Sequence, residues 1–262
     1  MENFTTPEWL AIGFCVLLRG MSKGGFPVAG VAMPLLVLLW PEPGQAARSS
    51  VSFILPLLCA MDLVGVFLYR GKPDWTHIRK LLPATIAGVA VASMFFVSDK
   101  GISVSDRTLK LLIGILGLVF TGWQIWGKKL LNGPARLATA SGWRPRLYGF
   151  SSAVTSTIAH AAGPVMQMYL LPTGMAKTQF AATTIYYFLF LNAIKLIPFA
   201  LLGRFNETQL MMNLWMLPLI PAGVLIGYAI VRVMQERHYI LFIRVTLVLT
   251  SAILVYRAIA GS

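Results

Sequence analysis

Ser156-Thr157-Ile158-Ala159-His160-Ala161-Ala162-Gly163-Pro164 cuts into the apolar run from Leu147 to Leu171 with a histidine, small residues and a proline. A backbone in hydrocarbon must satisfy its own hydrogen bonds, so a broken stretch survives there only where protein or a cavity covers it. The same pattern occurs once before. The first apolar run, Trp9 to Trp40, is longer than one crossing needs and is interrupted by Arg19-Gly20-Met21-Ser22-Lys23-Gly24-Gly25-Phe26-Pro27. Lys23 through Pro27 aligns with His160 through Pro164, so the two breaks hold corresponding places. Interrupted hydrophobic segments at matching positions in two halves point to a transporter's binding site; a pair of simple proline kinks is the plainer alternative.

Outward from these breaks lie Ser49 to Tyr69, Ile78 to Val97, Leu109 to Trp126, Phe180 to Leu202, Leu210 to Val231 and Tyr239 to Ile259. With the two interrupted runs they make eight apolar segments, each of roughly the 20 residues that cross about 30 Å of hydrocarbon. Of the 262 residues, 57% are hydrophobic and 12% charged, about half the charged share of a soluble domain. The net charge of +13, from 22 Lys and Arg against 9 Asp and Glu, would suggest nucleic acid in a soluble protein. In a bilayer it reads as loop charge that sets topology, and no nucleic-acid partner is expected. Cys15 and Cys59 both sit inside apolar runs, so neither a disulfide framework nor a metal-binding pair is expected, and no cofactor. Met1 to Glu8 lacks the basic start of a cleaved leader, and Trp9 onward reads as mature structure.

The halves also match elsewhere. Gly13-Phe14 aligns with Gly149-Phe150, and Leu82-Pro83-Ala84-Thr85-Ile86-Ala87-Gly88-Val89 with Leu217-Pro218-Leu219-Ile220-Pro221-Ala222-Gly223-Val224, at nearly constant offset. Such periodicity marks an internal duplication. The expected fold is an all-α polytopic membrane protein of two inverted repeats, each a broken or re-entrant helical hairpin plus three transmembrane helices. The first repeat covers 1–130, a basic linker 131–146, and the second repeat 147–262. If each broken run turns back as a hairpin, the loop Lys and Arg residues divide 12 to 6 between the two sides. Continuous crossings divide them more evenly. The positive-inside rule therefore leans to hairpins, with both termini outside the cell.

Ionisable groups at membrane depth cost roughly 2.5 to 3.5 kcal/mol each on insertion scales and face a cavity or a partner. Arg19, Lys23, His160, Lys195 and Arg244 are such groups, against a single acid, Asp62. That surplus of positive charge favours an anionic substrate. Lys23 with Gly24 and Gly25, and His160 with Ala161 and Gly163, place small residues where backbone N–H groups approach a ligand closely, and half-helix N-termini would add partial positive charge. Snorkelling of Lys23 and a packing hydrogen bond of His160 are the plain alternatives. Gln167 and the hydroxyls of Thr155, Ser156 and Thr157 flank the second break, where such groups also serve as glue between helices. Asn192 and Lys195, three apart, share a helical face and either line the pathway or pair with Asp62. Asp62 either neutralises a cation or takes up a proton. Arg19, one turn before Lys23, extends the basic wall and joins Asp62 as a coupling or gating candidate. Arg244 reads as a snorkelling residue.

These residues resemble the TauE/SafE family of anion transporters, also called the toluene sulfonate uptake permease family. The resemblance runs over nearly the whole chain. It is carried by the broken first segment ending in Pro27 and Pro34, by Asp62 with Tyr69-Arg70 and the Lys72-Pro73-Asp74-Trp75 turn, and most specifically by Ser156 to Pro164 with Tyr169-Leu170-Leu171-Pro172, Lys177 and Asn192 to Phe199. It implies movement of sulfite or a small organosulfonate across the bacterial inner membrane, usually as export; import would instead need a cation or protons, for which Asp62 and His160 are the candidates. A passive anion channel shares every one of these residues. An intramembrane enzyme wants paired carboxylates, a metal cluster or a nucleophile with its base, and the sequence has one intramembrane acid and no HExxH or Cys–His arrangement.

Overall fold

A computed structural model of the chain describes residues 5–24, 26, 28–42, 44–69, 73–94, 142–170 and 173–233, with scattered positions between 105 and 122 and between 245 and 260. The described elements are helical: α1 (Thr6–Lys23), α2 (Ala29–Leu38), α3 (Ala46–Leu68), α4 (Trp75–Ser93), α5 (Arg144–Ala159), α6 (Ala162–Leu170), α7 (Lys177–Leu201), α8 (Glu207–Met216) and α9 (Leu219–Val233). Local chemistry explains several starts. The Thr5 N–H donates to Glu8 Oε2 at 2.6 Å with Pro7 in the first turn of α1. Asp74 Oδ1 accepts from the Thr76 and His77 N–H groups at 2.9 and 3.4 Å. Asn206 Oδ1 accepts from the Gln209 N–H at 2.7 Å. Each fills donors that a helix start leaves open.

Both interruptions read from the sequence are present. The first separates α1 from α2, and the second, at His160 and Ala161, separates α5 from α6. The seventh apolar run differs from its expected single span. It bends by 47° between α8 and α9, at Leu217 and Pro218, whereas the aligned Pro83 lies inside the continuous α4. The difference follows from Pro221. Two prolines three residues apart withhold two N–H groups from one turn, and the chain there falls back on shorter bonds, Leu217 N–H to the Leu214 carbonyl and Ile220 N–H to the Leu217 carbonyl. Ala46–Leu68 and Gln179–Leu201 are long and apolar enough to cross a bilayer, and the bent pair makes a third candidate when taken as one span.

The most extensive helix contacts are α4 with α5 and α1 with α9, then α3 with α7. They are reciprocal. α1 and α5 open the two halves, while α4 and α9 carry the aligned Gly88 and Gly223, so each half's third segment grips the first helix of the other half. A Cβ on Gly88 would lie 2.7 Å from the Phe150 carbonyl oxygen of α5, and one on Gly223 would lie 2.6 Å from the Leu17 carbonyl oxygen of α1. The aligned Gly13 and Gly149 differ: a Cβ on Gly149 would lie 2.5 Å from the Leu81 carbonyl oxygen, whereas one on Gly13 would meet only the Leu219 and Met216 side chains at ordinary contact distance. Small residues let membrane helices approach to backbone contact, which is how helices associate where lipid is as apolar as the partner. α3 and α7 run through the centre, with Phe53, Met61, Tyr187, Leu191 and Phe199 buried along them.

Tyr187 ties α7 to α4 and α5 through contacts of its hydroxyl with Thr85 Oγ1, at 2.9 Å, and with Ser152 Oγ. Thr85 and Ser152 also donate to the Leu81 and Gly149 carbonyls of their own helices. They therefore keep a partner without Tyr187, and Tyr187→Phe is expected to cost only about 1 kcal/mol. Thermal unfolding in detergent checks this; a loss several times larger would show that the hydroxyl carries the junction.

Candidate functional site

His160 ends α5 in the left-handed region, at φ 50° and ψ 35°, the one positive φ among the described non-glycine residues. That conformation costs a residue with a side chain roughly 1 to 3 kcal/mol, and three contacts hold it. The His160 N–H donates to the Ser156 carbonyl at 2.8 Å. Nε2 lies 3.0 Å from the Val51 carbonyl of α3, and Nδ1 lies 2.9 Å from Lys195 Nζ of α7. A carbonyl only accepts, so the network assigns the proton to Nε2 and leaves Nδ1 to accept from the lysine ammonium.

Lys195 has no exposed surface. Besides His160 it donates to Ser156 Oγ at 3.0 Å and to the Ser156 carbonyl at 3.3 Å, so its three N–H groups all point at uncharged acceptors at the second break. Asn192, one turn earlier on the same face of α7, donates from Nδ2 to Asp62 Oδ2 at 2.6 Å. The other Asp62 oxygen forms an ion pair with Lys23 at the end of α1. Lys23, not Lys195, is therefore the lysine that Asp62 holds. Lys23 Nζ also sits 4.9 Å from the centre of the Phe188 ring, a cation–π contact from α7. Arg19 completes the set, donating from Nη2 to the His160 carbonyl at 3.3 Å. That bond joins the last turns of α1 directly to the second break.

The candidates thus form two bonded sets, Arg19, His160 and Lys195 at the second break and Lys23, Asp62 and Asn192 beside them, with α1 and α7 contributing to both. The remaining sequence candidates divide. Gly24 serves close packing: a Cβ there would fall on the Val224 carbonyl oxygen and 2.7 Å from the Tyr228 nitrogen of α9. Ala161 N–H donates to the Thr155 carbonyl at 3.3 Å. Among the described residues, nothing lies within 4 Å of a Cβ position on Gly163. The hydroxyls of Thr155 and Thr157 bond to carbonyls of their own helix, leaving Ser156 as the hydroxyl that reaches the network. Gly25, Arg244 and the Gln167 side chain lie outside the described residues. Val51 and Phe188 were not singled out in the sequence, since a backbone carbonyl and a core phenylalanine carry no polar signature.

The formal charge of this cluster is positive, with Arg19, Lys23 and Lys195 against Asp62, which is the single buried carboxylate among the described residues. Desolvated like charges repel strongly at effective protein dielectrics, so gathering these cations carries an electrostatic cost. The described helices, two or three of them long and apolar enough to cross a bilayer, thus bring cations from α1 and α7 to the second break. A profile described as "Sulfite exporter TauE/SafE" matches residues 9–254, and the chain belongs to that family. It is accordingly a membrane transporter of the anion-exporter type, a class that carries solutes rather than transforming them. No curated protein and no solved structure is significantly similar to the chain.

Proposed function

We propose that the chain exports a small sulfur oxyanion, with sulfite as the leading substrate, across the bacterial inner membrane. One observation carries this reading: three cations and one carboxylate meet where α1 reaches the second break. Lys195, His160, Lys23 and Asn192 would hold the anion, with N–H groups at the start of α6 beside Gly163 adding to the cradle. Asp62 and Arg19 would act as coupling or gating groups. The two halves, taken as inverted repeats with both termini periplasmic, would rock against each other about this point to give alternating access. The reciprocal grip of α4 on α5 and of α9 on α1 supports two matching bodies of this kind. Driving force is no obstacle, since in an inside-negative cell each exported negative charge gains about 2.3 kcal/mol per 100 mV. Import would need a proton or cation, and Asp62 and His160 are its natural carriers.

The test is sulfite efflux from liposomes containing the purified protein. Efflux is expected to saturate with sulfite and to accelerate under an inside-negative potential; absence of sulfite flux overturns the reading. His160→Ala removes the acceptor for Lys195 and the bond to Val51 together, and at least a tenfold slower efflux is expected, about 1.4 kcal/mol. Unchanged efflux would take His160 out of the site.

A further inference from the structure

We infer that Tyr169 is a positioning residue: its hydrogen bond to His77 pins the far end of α6 and so holds the near end, at the second break, in place for the anion. This rests on reading the break as part of the substrate site. The pin exists because the chain doubles back. Tyr148, early in α5, and Tyr169, at the end of α6, would stand about 31 Å apart along one continuous helix. Their ring centroids are 5.4 Å apart. α5 and α6 therefore make a hairpin with its bend at His160 and Ala161, and the two tyrosines meet at its open end. There the Tyr169 hydroxyl lies 2.8 Å from His77 Nδ1 in the first turn of α4, with the rings edge to face at 5.4 Å. This tie is directional. The apolar anchoring of α6 is not: Ala162, Met166 and Leu170 share a buried cluster with Ile78, Leu81 and Leu191, and such burial has no preferred direction.

His77 is itself held. Asp74, which caps α4 through Oδ1, has Oδ2 3.9 Å from His77 Nε2, and the Asp74 N–H donates to Thr183 Oγ1 of α7 at 2.9 Å. α7 also carries Lys195, whose ammonium bonds to Ser156 and His160 at the bend. The contacts thus close a ring: from Lys195 to the bend, along α6 to Tyr169, through His77 and Asp74 to Thr183, and back along α7. One side of this frame is the anion cradle, and the other is the pin, about 13 Å away along α6. Without the pin, a helix of nine residues is left to tilt about its bend. Donors at its start must then be ordered by the ligand itself, at a cost in affinity.

Two measurements test this: sulfite efflux from liposomes, read as half-saturating concentration and maximal rate, and amide hydrogen exchange of the purified full chain. Tyr169→Phe keeps the ring against Tyr148 and removes the bond. It is expected to raise the half-saturating concentration about fivefold, the effect of one net hydrogen bond, with the maximal rate within about twofold of native. Exchange over residues 162–170 should quicken about as much, while 147–156 stays native. His77→Ala should do the same and add little when combined with Tyr169→Phe. His77→Asn keeps a polar group near the place of Nδ1 and should restore most of the native value. Tyr187→Phe removes a hydroxyl from the same cluster but outside the frame, and should leave the half-saturating concentration native. Unchanged exchange over 162–170 in Tyr169→Phe overturns the inference, as does faster exchange with native half-saturation, or an equal effect from Tyr187→Phe. Should His77→Ala fail to fold, Tyr169→Phe and His77→Asn decide. Absence of efflux from the native protein overturns the transport reading instead, and exchange over 162–170 still decides whether Tyr169 pins α6.

Discussion

Lys195→Met is expected to slow sulfite efflux at least a hundredfold while the protein still purifies as a single species. Methionine keeps the length and the apolar stem of lysine, so the packing along α7 between Leu191 and Phe199 survives. What disappears is the ammonium, and the groups it leaves behind, the Ser156 hydroxyl and carbonyl and His160 Nδ1, are neutral. Losing one partner of a desolvated charge pair costs about 2 to 5 kcal/mol, the range that gives this slowing when the missing partner is the substrate's counter-charge. Lys195→Arg should be slow as well, because a wide planar fork does not fit three donors converging on one turn of helix. Efflux normalised to incorporated protein decides the matter, and a rate for Lys195→Met within twofold of native would remove Lys195 from the site.

The second large effect is on folding. A Cβ on Gly227 would fall on the Met21 carbonyl oxygen, with the Met21 Cα only 2.7 Å away. Backbone cannot step aside as a side-chain tip can, so Gly227→Val must push α9 off α1. Overpacking of this kind costs 1 to 3 kcal/mol in ordinary cores, and about 3 kcal/mol is expected here, with a marked fall in monodisperse yield. Gly163→Ala is the control, since nothing among the described residues lies within 4 Å of its Cβ position and its stability should stay within about 0.5 kcal/mol of native. Thermal unfolding of both variants in detergent makes the comparison. Equal stability would mean that the contact between α1 and α9 is looser than backbone to backbone.

Much of this architecture was legible in the sequence, because glycine and proline in an apolar run carry their meaning locally. The breaks after Lys23 and at His160 could be placed to within a residue or two from such signals alone. The aligned Leu82 and Leu217 motifs foretold that Gly88 and Gly223 would play equivalent parts. They did not foretell that one motif would run straight and the other bend, which turns on Pro221 and the turn it disrupts. In the site, the inward face of α7 followed from the spacing of Asn192 and Lys195. Which lysine Asp62 would choose did not, because Lys23 and Lys195 stand on different helices and only tertiary packing ranks their distances. Gly24 shows the converse: the same absence of a Cβ that invites a ligand also invites a neighbouring helix, and α9 is what the structure brings there.

The crossed grip between halves has a consequence for how the protein comes to be made. Gly88 meets backbone of α5, and Gly223 backbone of α1, so each of these close seams joins helices far apart along the chain. Ribosomal synthesis delivers α1 and α4 first, and their glycine furrows stay open until α9 and α5 arrive to fill them.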